Sequence, residues 1–461
     1  MGIDFTSVVA HPIERVWDWH SRPGAMRRLV PPWQPMQVLS ESESLADGQA
    51  VLGLPGGLLW IARHDPAGYR PPFEFVDELS SAGLRSLPPR IIGWWRHQHR
   101  FSTAESEGTL VHDTVDTPVP AAALRSTFCY RHRQLADDLA SHARAHLVVG
   151  DARLTVAVTA PEGLIGRTLS AFLSTGGHRV IALTRTPPVK PEQRYWNPVQ
   201  PDPTLLNGVD AVVHLAGMPA ISAEPGVVGG LSGATTRTGT LLLAELAAAT
   251  AGVSTFVSSS SIDFYGQHGR VGALDESSSR GSGALDESSS RGDGEVAVAV
   301  GDAEAATAPA ADGGLRVVIV REGLVQSSAG GVLAELAAPG RHHRIGSARG
   351  WLSWIGLDDL VEVYYRAVYD TRLRGPVNAV SPVPIRQGDY TAALGQVRRR
   401  RLLESILTPR LVASSPADRQ LEMTDQRVMP AVLIGLEQHF RHPSMGELLA
   451  HQFGYPAPGQ L

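Results

Sequence analysis

Four consecutive serines, Ser258 to Ser261, run into Ile262-Asp263-Phe264-Tyr265-Gly266. A serine hydroxyl both donates and accepts, so it can orient a substrate carbonyl or alcohol, and a phenol can move a proton. Ser260, Ser261 and Tyr265 are therefore the candidate catalytic residues. For any one serine taken alone, a polar loop at a strand end is the competing account.

A second stretch offers anion chemistry. Thr159-Ala160-Pro161-Glu162 leads into Gly163-Leu164-Ile165-Gly166. The free N–H groups and partial positive charge of a helix starting there suit a pyrophosphate. Thr159, Gly163, Leu164, Ile165 and Gly166 are the expected cofactor-binding residues. The turn departs from a full glycine fingerprint: position 160 is Ala, Pro161 removes a donor, and Glu162 brings a negative charge towards the phosphate site. A domain that keeps this shape and binds no nucleotide is the alternative. Further on, Thr184-Arg185 ends a strand. Arginine there can pair with a 2′-phosphate, which favours NADP over NAD; a solvated arginine is the other account. Leu215-Ala216-Gly217 closes an apolar strand with small residues that let the backbone approach a flat ligand.

The elements that must position these groups are legible as pattern. Leu154 to Val158 is an apolar, β-prone run, as in a strand buried on both faces. Leu164 to Leu173 has helical apolar spacing, Gly176-Gly177 stops it, and Val180 to Leu183 is the next strand. Asp210 to Leu215 reads as a strand, Thr235 to Ala249 as a helix, and Gly252 to Val257 as a strand carrying the serines at its C-terminal end. In open α/β sheets, ligands sit beyond those ends. The expected fold class is α/β: a Rossmann-type doubly wound parallel sheet.

Bulk properties narrow the classes. A chain of 461 residues suggests two or three domains. The net charge of −5 gives no reason to expect nucleic-acid binding. Cys129 is the sole cysteine, which excludes an intrachain disulfide and fits a cytoplasmic setting. No apolar run of about 18 residues suggests a membrane span, and the first residues lack a signal pattern. The 17 histidines show no zinc spacing, and no metal is expected; His97 and His99 read as alternate faces of a strand.

Residues 1–147 form a block of their own. Ile3–Ala10 reads as a strand, and 11–17 as a turn into a short helix with Pro12 in its first turn. Ala50–Leu54, Leu58–Arg63, Phe73–Leu79, Trp94–Phe101 and Thr109–Thr117 are further strands, and Leu124 to His146 a long helix. This order resembles the START-like, or SRPBCC, α+β helix-grip domains. That resemblance implies a sheet wrapped on the long helix and a pocket for a small hydrophobic ligand; a filled core with a scaffolding role is the alternative.

Residues 148–153 read as a linker. Residues 154–385 are the expected NAD(P)-binding domain and 386–461 a small C-terminal helical domain. Within 267–294, the decapeptide GALDESSSRG occurs twice, at 272–281 and 283–292. Such a Ser/Gly-rich copy is expected to bury little and to form a mobile loop, either a lid or a tolerated insertion. Arg398 to Arg401 reads as a solvated helix face, with an anion contact as the alternative.

VTAPEGLIG, DAVVHLAG, SSSSIDFYG, LRVVIVREGLV (315–325), WLSWIGLDDL (351–360), GPVNAVSP (375–382) and QRVMP (426–430) occur in the order found in extended short-chain dehydrogenase/reductases. They most resemble the NAD(P)-dependent epimerase/dehydratase-like subgroup of putative sugar-nucleotide epimerases. The resemblance implies a nicotinamide cofactor and a small-molecule substrate, and adds Arg321 to the cofactor-binding set. It implies a Tyr-x-x-x-Lys pair as well, but residues 267–315 hold neither Tyr nor Lys. Of the subgroup's Trp-Glu pair in that helix, only Glu304 matches. Gly356 stands where a histidine is usual, and the motif position of Tyr265 suggests packing. Two readings follow: an NADP-dependent oxidoreductase or epimerase with a degenerate catalytic motif, or a non-catalytic pseudoenzyme or sensor binding a nucleotide or a hydrophobic ligand.

Overall fold

The computed structural model describes residues 2–80, 86, 93–104, 108–215, 233–266, 272–279, 291–337, 348–404 and 425–455. The first block is an antiparallel seven-stranded sheet. Its strands are β1 (Gly2–Val9), β2 (Gln37–Ser40), β3 (Gln49–Leu54), β4 (Leu58–His64), β5 (Glu74–Leu79), β6 (Arg96–Thr103) and β7 (Thr109–Asp116), in the order β1-β7-β6-β5-β4-β3-β2. Helices α1 (Ile13–Ser21) and α2 (Ala25–Leu29) lie between β1 and β2, and the 29-residue α3 (Ala121–Val149) closes the block. Pro12 caps α1, where a missing N–H costs nothing. Strand β2 and helix α2, of 4 and 5 residues, are too short to stand out in the sequence. α3 runs to Val149, and the next strand begins at Thr155.

Period-two alternation sets the inner face. In β7, Thr109, Val111, Asp113 and Val115 point inward; in β6, His97, His99 and Phe101 do. The expectation that His97 and His99 lie on alternate faces is therefore corrected. Two residues apart on a strand means the same face, and both rings are buried with centroids 3.8 Å apart.

The second block is a parallel sheet, ordered β10-β9-β8-β11-β12-β13-β14. Its strands are β8 (Thr155–Thr159), β9 (Arg179–Thr184), β10 (Gln193–Tyr195), β11 (Ala211–His214), β12 (Thr255–Ser261), β13 (Arg316–Glu322) and β14 (Gly375–Ala379). Helices α4 (Leu164–Thr175), α5 (Gly233–Ala249), α6 (Arg291–Ala305), α7 (Ala308–Asp312) and α9 (Leu357–Tyr369) cover it. One core joins Val156, Val158, Phe172, Val213, Val257, Val318 and Val320 to α9, and a second on the other face joins Ala157, Ile181, Phe256 and α5. Apolar residues on both sides of each central strand are what helices on both faces require. No helix among the described residues is long and apolar enough to cross a membrane.

The C-terminal part does not stand apart. Helix α10 (Gln387–Glu404) and the helix Met445–Phe453 share a core with Trp354, Leu324 and the short helix α8 (Gly331–Leu336). Ser444 and Glu447 form a capping box that starts the last helix. The side chains of Arg398 to Arg401 lie outside the described residues. Of the tandem copies, 272–279 is described, and Leu274 is its one buried residue. Leu274 is 5% exposed and bridges to Val428. Glu276 accepts from the N–H groups of Asn378, Ala431 and Val432.

Charged side chains tie the blocks together. Arg28 of α2 donates to both oxygens of Asp138 on α3 (2.8 and 2.7 Å) and to Asp358 on α9 (2.7 Å). Arg441 donates to Asp138 (2.9 Å) and to Glu362 of α9.

On β13, Glu322 accepts from the hydroxyl of Tyr364, and burial lifts its carboxyl from 4.5 to about 7 against that bond. The folded chain thus keeps a proton that the unfolded chain releases near pH 4.5. Stability contributed here falls as pH rises from about 4.5 to about 7 and is level above. Glu322→Gln is expected to match the parent at pH 4 and to exceed it by about 3 kcal/mol at pH 8 in urea unfolding.

Candidate active site

The site is assembled at the C-terminal ends of β8, β9, β11, β12 and β13. Gly163 caps α4 with extended backbone, and no side chain among the described residues caps that helix start. The leading amides are therefore open to an anion. The turn is tight: a Cβ on Gly166 would lie 2.2 Å from the Ala160 carbonyl oxygen, and one on Gly163 3.2 Å from it. Ala160 itself sits at φ +49°, a left-handed conformation that a glycine would take without strain. Glu162 is exposed at the rim, and Leu164 and Ile165 are part-buried against the core. This cradle fits a diphosphate: glycines where backbone meets backbone, and a helix start left uncapped.

Below the turn, a buried network fixes the strand ends. The Thr240 hydroxyl donates to the Thr236 carbonyl (3.0 Å), so it accepts from His214 Nε2–H (3.0 Å). His214 Nδ1 then accepts from Thr159 (3.1 Å), whose oxygen accepts from Leu215 N–H (2.9 Å). Burial lowers the His214 pKa to about 3, so the ring is neutral, as this pattern needs. Thr159 and Leu215 thus brace the site floor. The Thr184 hydroxyl donates to the Thr186 carbonyl (2.8 Å), and the neighbouring Arg185 is exposed at the end of β9. Ala216 and Gly217 lie outside the described residues.

The serines separate by the alternation of β12. Ser260 Oγ donates to Glu304 Oε1 on α6 (2.6 Å). Ser261 instead caps the short turn after it, bonding Asp263 through both side chain (2.9 Å) and backbone N–H (3.1 Å). Arg321 grips Glu304 with two bonds of 2.8 Å, donates to the Tyr265 hydroxyl (2.9 Å), and lies 3.4 Å over the Phe264 ring. The Tyr265 hydroxyl donates to Asn378 (2.9 Å), and burial raises its pKa against the pull of Arg321 and Asn378. Ser260, Glu304, Arg321, Tyr265 and Asn378 form one continuous chain, in which Ser261 takes no part. Asn378 and Gln426, which donates to the carbonyls of Ile262 and Gly266, were visible only as letters inside GPVNAVSP and QRVMP. His214 was visible as a lone polar residue in an apolar strand.

A family model described as the NAD dependent epimerase/dehydratase family matches residues 156–372. An epimerase family protein of Mycobacterium bovis is 33% identical over 307 residues, spanning 65% of this chain and 98% of that protein. A chloroplastic epimerase family protein homologue of Arabidopsis thaliana is 29% identical over 270 residues, spanning 54% of this chain and 72% of that one. The crystal structure of a nucleoside-diphosphate sugar epimerase from Corynebacterium glutamicum superposes with a TM-score of 0.84 at 35% identity, covering 99% of this chain and 91% of that one.

The two glycines of the turn are expected to differ in tolerance. Gly166→Ala forces a backbone shift, so it should lower stability by about 1–3 kcal/mol despite the better helix propensity of alanine. Gly163→Ala, with more room, should cost less; thermal melts of the two variants check the order.

Proposed function

Because this chain belongs to the NAD-dependent epimerase/dehydratase family, we propose that it is a nicotinamide-dependent oxidoreductase of the epimerase type, preferring NADP, that acts on a nucleotide-sugar-like alcohol. The observation that carries this reading is the 2.6 Å bond from Ser260 to Glu304, itself clamped by Arg321, beside an uncapped helix start. The amides of Leu164, Ile165 and Gly166 would hold the diphosphate, and Arg185 the 2′-phosphate. The nicotinamide, when bound, supplies the hydride acceptor. Ser260 Oγ orients the substrate hydroxyl; as that carbon gives up hydride, the hydroxyl proton passes through Ser260 to the Glu304 carboxylate. Arg321 acts here as a positioning residue for Glu304, in place of the cofactor contact implied by the family motif. This arrangement substitutes a Ser–Glu–Arg relay for the Tyr and Lys that residues 267–315 lack.

A second reading, nucleotide binding without turnover, is favoured by the closed state of Tyr265. Its hydroxyl is held between Arg321 and Asn378 and has no bond left to give a substrate. The antiparallel sheet packed on α3 supports assigning the first block to the START-like group, with the block boundary within residues 148–153.

Titration of the protein with NADPH and NADH by fluorescence is expected to favour NADPH. Arg185→Asp should remove most of that preference and leave the NADH affinity near its original value. Failure of both cofactors to bind would end the oxidoreductase reading. Glu304→Gln should keep NADPH affinity and lower turnover of nucleotide sugars by about 100- to 10,000-fold. Turnover unchanged in that variant would rule out the relay, and NADPH binding without turnover in the parent would favour the second reading.

A further inference from the structure

The inner face of the first sheet carries a buried set of imidazoles and carboxylates unconnected with the nucleotide site. Strand register builds it. His64, Asp77 and His97 stand side by side across β4, β5 and β6, and Phe75, His99 and Asp113 form the next row across β5, β6 and β7. Asp77, His97, His99 and Asp113 are each less than 9% exposed.

Their spacing is odd for hydrogen bonding. Asp77 Oδ2 lies 3.6 Å from His97 Nδ1 and 3.5 Å from His99 Nε2. Both distances exceed a good hydrogen bond. They are close to the edge of a coordination tetrahedron, about 3.3 Å for metal–ligand bonds near 2.0–2.1 Å. One ligand atom from each of Asp77, His97 and His99 falls within 4.8 Å of the others. The far nitrogens turn to a single oxygen: Asp113 Oδ1 lies 2.8 Å from His99 Nδ1 and 3.5 Å from His97 Nε2. His97 Nε2 and Asp113 Oδ1 nevertheless complete no hydrogen bond of good geometry. Asp113 Oδ2 in turn accepts from His132 Nε2 on α3 (3.1 Å), and Ser7 Oγ lies 2.7 Å from His132 Nδ1.

We propose that Asp77, His97 and His99 bind a divalent transition-metal cation of the zinc or iron(II) type, with Asp113 as the carboxylate that orients both imidazoles. Two imidazoles and one carboxylate leave open coordination positions, the donor set of metals that bind a further ligand or water. A metal-ligating histidine ordinarily donates its other ring N–H to a carboxylate, and Asp113 Oδ1 is the carboxylate oxygen that both far nitrogens face. His132 and Ser7 extend that support to α3 and β1. The cation would replace two over-long contacts with three bonds. Arg131, whose guanidinium lies over the Phe128 ring on the same helix as His132, is a nearby positive charge that opposes it. Two carboxylates outweigh it. This inference does not depend on the oxidoreductase reading.

The test uses the full chain, stripped with chelator and dialysed into metal-free buffer. Zinc alone is titrated by calorimetry, and bound metal is counted by elemental analysis. Cobalt(II) is then substituted and its visible spectrum recorded. The expected result is about one equivalent per chain, with a low-symmetry cobalt spectrum. His99→Gln and Asp77→Asn should each weaken binding by more than about 100-fold, and Asp113→Asn by about 10- to 100-fold. His112→Gln, on the outer face of β7, is the control and should bind like the parent. Where a site variant fails to fold, the cobalt spectrum of the parent decides. No saturable uptake, a spectrum like that of aqueous cobalt, or uptake unchanged in His99→Gln would overturn the proposal.

Discussion

The structure depends on keeping two buried guanidiniums, Arg28 and Arg441, among Asp138, Asp358 and Glu362. All five are nearly inaccessible to water, and removing ions from water costs several kcal/mol each before pairing offsets it. Such a network adds little net stability, but it admits one geometry. Arg28 comes from the first block, Asp138 from its long helix, Asp358 and Glu362 from α9, and Arg441 from the C-terminal segment. A rotation of any of these would strand a charge. Both guanidiniums also face the ring of Phe172 on α4, at 5.4 and 5.8 Å. The helix whose start forms the anion cradle is thus held from its far end by the contact that docks the first block. The physical content of the multi-block architecture is that it immobilises α4.

A comparable economy governs the site. Where relatives of this fold would rely on a phenol and an ammonium on one helix, this chain has a carboxylate on α6 and a guanidinium on β13. The signs are reversed in place: the helix now brings the negative group and the strand the positive one. Arg321 has a planar fork, so it can hold Glu304 with two bonds and still reach Tyr265. Tyr265 is then fixed as part of the wall, and Ser260 is left as the hydroxyl bonded to the Glu304 carboxylate.

Much of this was readable in the sequence, for identifiable reasons. The strands of the parallel sheet and helix α4 announced themselves because apolar runs and glycine breaks are local signals. The uncapped start of α4 followed from the same signals. What escaped was set by register and distance along the chain. Asn378 meets Tyr265 across 113 positions, and Glu276 meets the helix at Ala431 across 155. The tandem decapeptide looked unable to bury surface because its composition is polar, yet one leucine and one glutamate in it suffice to dock the first copy. The separation of Ser260 from Ser261 is a matter of strand alternation, and the strand had been expected to end at Val257, three residues before it.

The inside of the first block is chemically mixed. A sheet wrapped on a long helix suggests an apolar hollow, and one end of this face is apolar, with Val9, Phe75, Phe101 and Val111 packed on Leu135 and Leu139. The other end places Asp77, His97, His99, Asp113 and His132 together. Burial holds the His97 ring near pKa 4, whereas His99 is raised because the attraction of Asp113 and Asp77 overcomes the same desolvation. Two chemically identical rings on one strand, 3.8 Å apart, are thus driven in opposite directions. The carboxylates at the histidine end call for a polar or cationic partner, while the phenylalanine end is closed by apolar packing.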